Sequence, residues 1–161
     1  MGLVNTATYR FVPIAVEHLE IMDGWAYGEY FPSFDVDAYF ASVKRGEDPP
    51  TGPAGCDGFA VLDKQSTIVG IFEYYFGDDG RGSIGLALAP DLTNRGLGAG
   101  FLEAGIEFLS TNYDYTGRYV HLSVDPQNEP ALKLYKRAGF DVAPSDAEDG
   151  EVHMRRPIKS E

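Results

Sequence analysis

The sequence is poor in the residues from which metal centres and covalent enzymes are built. Cys56 is the one cysteine in 161 residues, which excludes an internal disulfide and any cysteine-rich metal site and agrees with a reducing compartment. Its expected role is that of a small buried apolar residue. His18, His121 and His153 are scattered, with no second ligand at helical or strand spacing, so no metal is expected. There is no Gly-x-Ser-x-Gly elbow to carry a serine nucleophile, and no Gly-Lys-Ser/Thr to make a nucleotide P-loop. Positive charge is scarce too. Lys and Arg number 13 against 25 Asp and Glu, a net charge of −12 with no basic stripe, which argues against nucleic acid. No apolar run approaches the roughly 18 residues of a membrane span, and the start has neither a basic n-region nor an apolar h-region. A soluble, cytoplasmic protein without membrane contact is the expectation.

What is present fits a single domain, residues 1–161, with 43% apolar content and enough chain to bury roughly two-thirds of its unfolded surface. Repeats and low-complexity tails are absent. Thr8 to Val12 reads as a strand, followed after Pro13 by a helix through Val16, Leu19, Ile21 and Met22. Gly24 to Pro32 is an aromatic loop, and Asp35 or Asp37 can cap a second helix ending near Lys44 to Gly46. The proline- and glycine-rich stretch from Gly46 to Gly55 reads as an exposed loop. Gly58 to Leu62, Thr67 to Phe76 and a strand ending at Ala89 form an antiparallel meander, with Gly77-Asp-Asp-Gly80 as a hairpin turn.

The chain is organised around Ile84 to Leu102. Ile84 to Ala89 are too few for a helix before Pro90, so a buried strand is expected there. From Leu97 the period changes: Leu97, Phe101, Ala104, Gly105 and Phe108 recur at helical spacing, while Glu103 and Glu107 share another face. Gly96, Gly98 and Gly100 lie between, leaving the first helical turn with little bulk and with N–H groups that lack intrahelical acceptors. Such an end binds anions, although an ordinary glycine-rich turn is the competing reading. Tyr119 to Val124 is then a strand that returns parallel to its predecessor, because a helix connects them. Asn128 can cap a helix from about Glu129 to Ala138, with Pro130 in its first turn and Gly139 as its stop. Short strands near Phe140 to Ala143 and Glu151 to Arg155 surround the acidic turn Ser145 to Gly150.

Two of these segments together resemble the GNAT superfamily of acetyl-CoA-dependent N-acetyltransferases. The family motif Gln/Arg-x-x-Gly-x-Gly/Ala falls on Thr93-Asn94-Arg95-Gly96-Leu97-Gly98, with Thr93 departing from the preferred Gln or Arg. The second motif is matched by Asn128, Ala131, Leu134, Tyr135, Gly139 and Phe140. The resemblance implies an α+β fold, a twisted, mixed, mainly antiparallel sheet of about six or seven strands flanked by about four helices. Its parallel strand pair would be splayed at the acetyl-CoA site. By the same resemblance Thr93, Asn94, Arg95, Gly96, Leu97, Gly98 and Ala99 would surround the diphosphate. The backbone of Leu86, Ala87 and Leu88, with Asn128, would follow the pantetheine arm. Lys133 and Arg137 are further phosphate candidates, or else solvated charges. Tyr135 would protonate or hydrogen-bond the leaving thiolate; its helical stripe with Ala131, Leu134 and Ala138 suits a core tyrosine as well.

Acyl transfer from a thioester to an amine needs no protein nucleophile. It needs proton handling, since an alkyl ammonium of pKa near 10.4 costs roughly 4 to 5 kcal/mol to present as free amine at neutral pH. Glu73 is the first candidate base and Glu29 the second; a structural Glu73 is the alternative. Gly82 and Ser83 stand where the family often has a Glu. Trp25, Tyr27, Glu29 and Tyr30 read as an acceptor pocket, or as core and lid packing. The expected acceptor is a primary amine of a small molecule, a peptide N-terminus or a lysine, and a homodimer is left open. A catalytically silent acyl-CoA-binding or sensing module is the competing class, and a nucleotide-binding protein the third.

Overall fold

A computed structural model describes residues 8–22, 25, 36–47, 56–92, 95–145 and 147–158. Tyr27, Glu29, Tyr30, Thr93 and Asn94 lie outside the described residues, as do Asp35 and most of the expected loop before Cys56. The elements are β1 (Arg10–Pro13), α1 (Val16–Met22), α2 (Val36–Lys44), β2 (Asp57–Leu62), β3 (Ile68–Phe76), β4 (Gly82–Leu88), α3 (Gly98–Tyr113), β5 (Tyr119–Val124), α4 (Glu129–Arg137), β6 (Asp141–Val142) and β7 (Val152–Pro157). Among the described residues no helix is long and apolar enough to cross a membrane.

Seven strands form one sheet in the order β1-β2-β3-β4-β5-β7-β6. β1 to β4 are successive antiparallel neighbours. The turn between β3 and β4 closes where the Gly77 N–H donates to the Arg81 carbonyl and the Gly80 N–H to that of Gly77. Because α3 carries the chain across the sheet, β5 comes back parallel to β4. β7 then pairs antiparallel with both β5 and β6.

Strand alternation divides the core in two. Phe72 and Tyr74 of β3 join Phe101, Leu102, Ile106, Leu109, Val120, Leu122, Tyr135 and Phe140 under α3 and α4. Ile71, Leu62 and Ala87 face the opposite way, against Leu19, Met22 and Phe40 of α1 and α2. α3 lies close on the sheet: a Cβ on Gly105 would run into the Phe72 ring, and one on Gly70 would come within 2.5 Å of Phe101 Cζ. Of the stripe expected on this helix, Phe101, Ala104 and Gly105 are buried, but Leu97 is 38% exposed. It precedes the first helical residue, so it stands at the open end of the helix and not over the sheet.

α4 begins and ends as its sequence requires. Asn128 Oδ1 accepts from the Ala131 N–H at 3.3 Å, and Pro130 sits in the first turn. Gly139, at φ +97°, lets the Phe140 N–H reach back to the Tyr135 carbonyl at 2.9 Å.

Candidate active site

β4 and β5 pair only at Gly82 with Val120 and at Ser83 with His121. Beyond this point β4 stays bonded to β3 as far as Leu88, while its other edge has no strand partner among the described residues. Tyr115 pins the closed end: its hydroxyl accepts from the Gly82 N–H at 2.8 Å and donates to the Tyr119 carbonyl at 2.8 Å. The split therefore leaves the backbone of Leu86, Ala87 and Leu88 on an open edge, where an extended ligand can pair as another strand does.

Past the end of β4 the chain turns into α3 through Gly96, whose φ of +74° is a region that favours glycine. Among the described residues no side chain caps the start of α3, so its first-turn amides look outward, with a dipole field of about half a positive charge. Gly98 rests on Leu134 of α4, where a Cβ would come within 3.0 Å of Leu134 Cδ2. The two sequence motifs thus meet at one place. Arg95, Gly96, Leu97 and Ala99 are exposed around it, and Asn128 is half-buried at the start of α4. Lys133 and Arg137 are exposed on α4.

Tyr135 packs its ring on Phe140, 5.9 Å between centroids. Burial pushes its phenol up to about 12.

Glu73 is only 4% exposed. It stands opposite Gly85 in the β3–β4 ladder, and a Cβ on Gly85 would run into Glu73 Oε1, so the glycine makes the room for the carboxylate. Among the described residues Oε2 has no hydrogen-bond partner. Burial raises this carboxyl to about 7, and the neighbouring Tyr75 phenol pulls the other way. The buried Cys56 thiol is pushed up to about 12 by burial and then by the Glu73 charge, which leaves it unreactive.

A cavity of about 820 Å3 opens on the face of the sheet turned away from α3, with Glu73, Ser83, Gly85, His121, Ser123 and His153 in its walls. Burial, then the charges of Arg81 and Arg155, lowers His121, so its imidazole is neutral at pH 7. Trp25 is half-buried against the cluster under α1 and α2, which is the packing alternative for that residue. Gly85 and His121 were not singled out from the sequence, and Ser83 was noted only as standing, with Gly82, where the family often has a Glu. Neither Gly85, placed by its register with Glu73, nor His121, placed by the parallel register with Ser83, has a local signal.

Residues 20–140 match the sequence profile described as the acetyltransferase (GNAT) family. The chain belongs to the acetyltransferase (GNAT) family. It is accordingly an acyltransferase, and the sheet with its splayed parallel pair, flanked by α1 to α4, is the GNAT fold expected from the motifs. No curated protein matches the chain by sequence. Solved GNAT structures match it over nearly its whole length. AAC(6')-Ib in complex with ribostamycin and coenzyme A aligns with a TM-score of 0.73 at 19% identity, covering 93% of each chain. A mutant form of the spermidine N-acetyltransferase SpeG from Vibrio cholerae gives 0.68 at 15%, covering 93% of this chain and 94% of that one. A GNAT-family acetyltransferase from Bacillus anthracis gives 0.66 at 12%, covering 93% and 95%. At these identities the likeness is one of fold.

Proposed function

We propose that the protein is an N-acetyltransferase that moves the acetyl group of acetyl-CoA to a primary amine by direct attack. The observation that carries this reading is the buried, unpartnered Glu73 Oε2 in the wall of a cavity beside the β4–β5 split. The family membership and the solved relatives, a spermidine N-acetyltransferase and AAC(6')-Ib in complex with ribostamycin and coenzyme A, support it, and they favour a small-molecule amine over a peptide N-terminus or lysine.

The uncapped start of α3 and the free edge of β4 suit an anionic, extended ligand. Thr93, Asn94, Arg95, Gly96, Leu97, Gly98 and Ala99 hold the diphosphate, with Leu86 to Leu88 and Asn128 along the pantetheine. Acetyl-CoA supplies a thioester whose carbonyl carbon the amine nitrogen attacks as the carbon–sulfur bond breaks. Glu73 takes the ammonium proton, directly or through water; a carboxyl near 7 is matched to that work at neutral pH. Tyr135 faces the leaving sulfur. Proton transfer from a phenol at about 12 to a thiolate of ordinary pKa near 8.5 is uphill by roughly 5 kcal/mol, so Tyr135 stabilises the thiolate by a hydrogen bond. Trp25, Tyr27, Glu29 and Tyr30 complete the acceptor side.

Release of free CoA thiol across a panel of primary amines tests the reading. Turnover with at least one amine is expected, and Tyr135→Phe slows it about 10-fold or more while the rise in melting temperature on adding CoA stays near that of the parent. A folded protein that is stabilised by CoA yet releases no thiol with any amine is a binding module instead.

A further inference from the structure

We infer that the acceptor is an extended di- or polyamine, whose second ammonium group is held on the cavity wall opposite Glu73 by Glu151 and Asp149, with the nearby Asp125 carboxylate adding its field at Glu151. This rests on the acetyl-transfer reading and names the substrate class for the same site.

The cavity that begins at Glu73 ends at Asp149, Glu151 and His153, on and before β7. Glu151 stands among like charges. Burial raises its carboxyl, and the Asp125 and Asp149 carboxylates raise it further. Among the described residues no lysine or arginine forms an ion pair with Glu151, Asp125 or Asp149; Asp149 accepts from the Glu151 N–H at 3.0 Å and has the His153 Nε2 at 3.0 and 3.1 Å from its two oxygens. A carboxylate group in this state is stabilised by any cation that enters. Among the described residues Arg81 is the one arginine in the cavity lining, on the β3–β4 side. Arg81 has Asp79 at 3.7 Å, and His121 is kept neutral by its burial and the nearby arginines.

The opposite end supplies the independent sign of a ligand, the buried Glu73 oxygen without a partner. Both ends therefore ask for positive charge, and a chain carrying −12 draws cations toward them. Their separation follows from the ladder. Glu73 pairs with Gly85, and Ser123, across the split, pairs with His153. Three strand intervals of about 4.8 Å set a minimum of roughly 14 Å between the two walls at the backbone, and the parting of β4 from β5 beyond Ser83 adds to it. Side chains reaching inward from both leave at least roughly 10 Å between the bound nitrogens, so the shortest diamine that spans them has about seven carbons.

Initial rates with diaminoheptane, diaminopropane and heptylamine, each at saturating acetyl-CoA, test the inference. Diaminoheptane should exceed both others in kcat/KM by about tenfold or more, and the preference over heptylamine should fall toward unity in Glu151→Gln and in Asp125→Asn, mainly through a higher KM for the diamine. Calorimetric titration of the same amines into the CoA-bound protein should show the same order. Equal use of heptylamine and diaminoheptane by the parent, or an unchanged ratio in both folded variants, overturns the second subsite and leaves the acetyltransferase reading standing. Thiol release with none of the amines, and no calorimetric preference for the diamine, overturns both.

Discussion

Glu73 and Tyr74 are neighbours on β3, both buried and both polar, and they serve opposite faces of the sheet. Tyr74 turns under α3, stacks on Phe72 with 5.9 Å between centroids, and donates its hydroxyl to the Gly105 carbonyl at 2.7 Å. Its polar atom is satisfied by the scaffold. Glu73 turns into the cavity, where the scaffold leaves one oxygen unmet. A hydrogen-bonded buried group contributes about 1 kcal/mol, whereas an unmet one costs about 1 to 3 kcal/mol, more if charged. At a position with no other task an apolar side chain would serve β3 better than a glutamate. The two residues separate what holds the fold from what the fold is held for.

The most direct way to break this comparison is Glu73→Gln, which keeps the shape and removes the base. The kcat for amine acetylation should fall by about 10²- to 10⁴-fold. In the parent, kcat/KM should drop about tenfold for each pH unit below about 7, as the carboxyl takes up a proton. That acid limb should vanish in the residual activity of the variant. A glutamine variant with parental kcat would return Glu73 to a structural role.

The next effect is one of stability, and it runs against intuition. Glu73 is raised in the fold from 4.5 to about 7, so between these values the native state holds a proton that the unfolded chain has released. Stability is therefore full below about 4.5, declines as the pH climbs, and levels off above about 7, a loss on the order of 3 kcal/mol. Glu73→Gln escapes this loss. Melting curves of the pair should nearly coincide at pH 4.5, and the variant should melt higher at pH 8. Parallel curves across that range would mean that the carboxylate is solvated in the native protein.

The fold was legible because local signals agreed with one another. The period of two in β2 to β4 switched to a helical period at Leu97, turn residues fell between, and a helix joining β4 to β5 forced a parallel return. The binding start of α3 was legible for the same reason, as glycines cluster where the period changes. Leu97 was misplaced because spacing alone cannot tell the last residue before a helix from the first one over the sheet. The length of the β4–β5 split was not legible, since it is set by Tyr115 reaching from beyond α3 to Gly82 and Tyr119. Gly85 gave no signal of its own either: its purpose is the carboxylate across the ladder, and pairing register is a property of the sheet. Glu73 was readable as a candidate, but its missing partner exists only in three dimensions.

The smallest expected effect sharpens the comparison from the other face. Tyr74→Phe removes the hydroxyl that meets the Gly105 carbonyl and leaves the ring stacked where it was. Gly105 lies within α3, so its carbonyl keeps the helix bond from the amide four residues on and is not orphaned. The cost should thus sit near the usual 1 kcal/mol for a single hydrogen bond, a fall in Tm of roughly 2 to 4 °C for a chain of this size. Rates with the best amine should not change, because nothing of Tyr74 reaches the cavity face of β3. A kcat loss in Tyr74→Phe approaching that of Glu73→Gln would show the two faces to be coupled through the strand, and the division between scaffold and site drawn at β3 would fail.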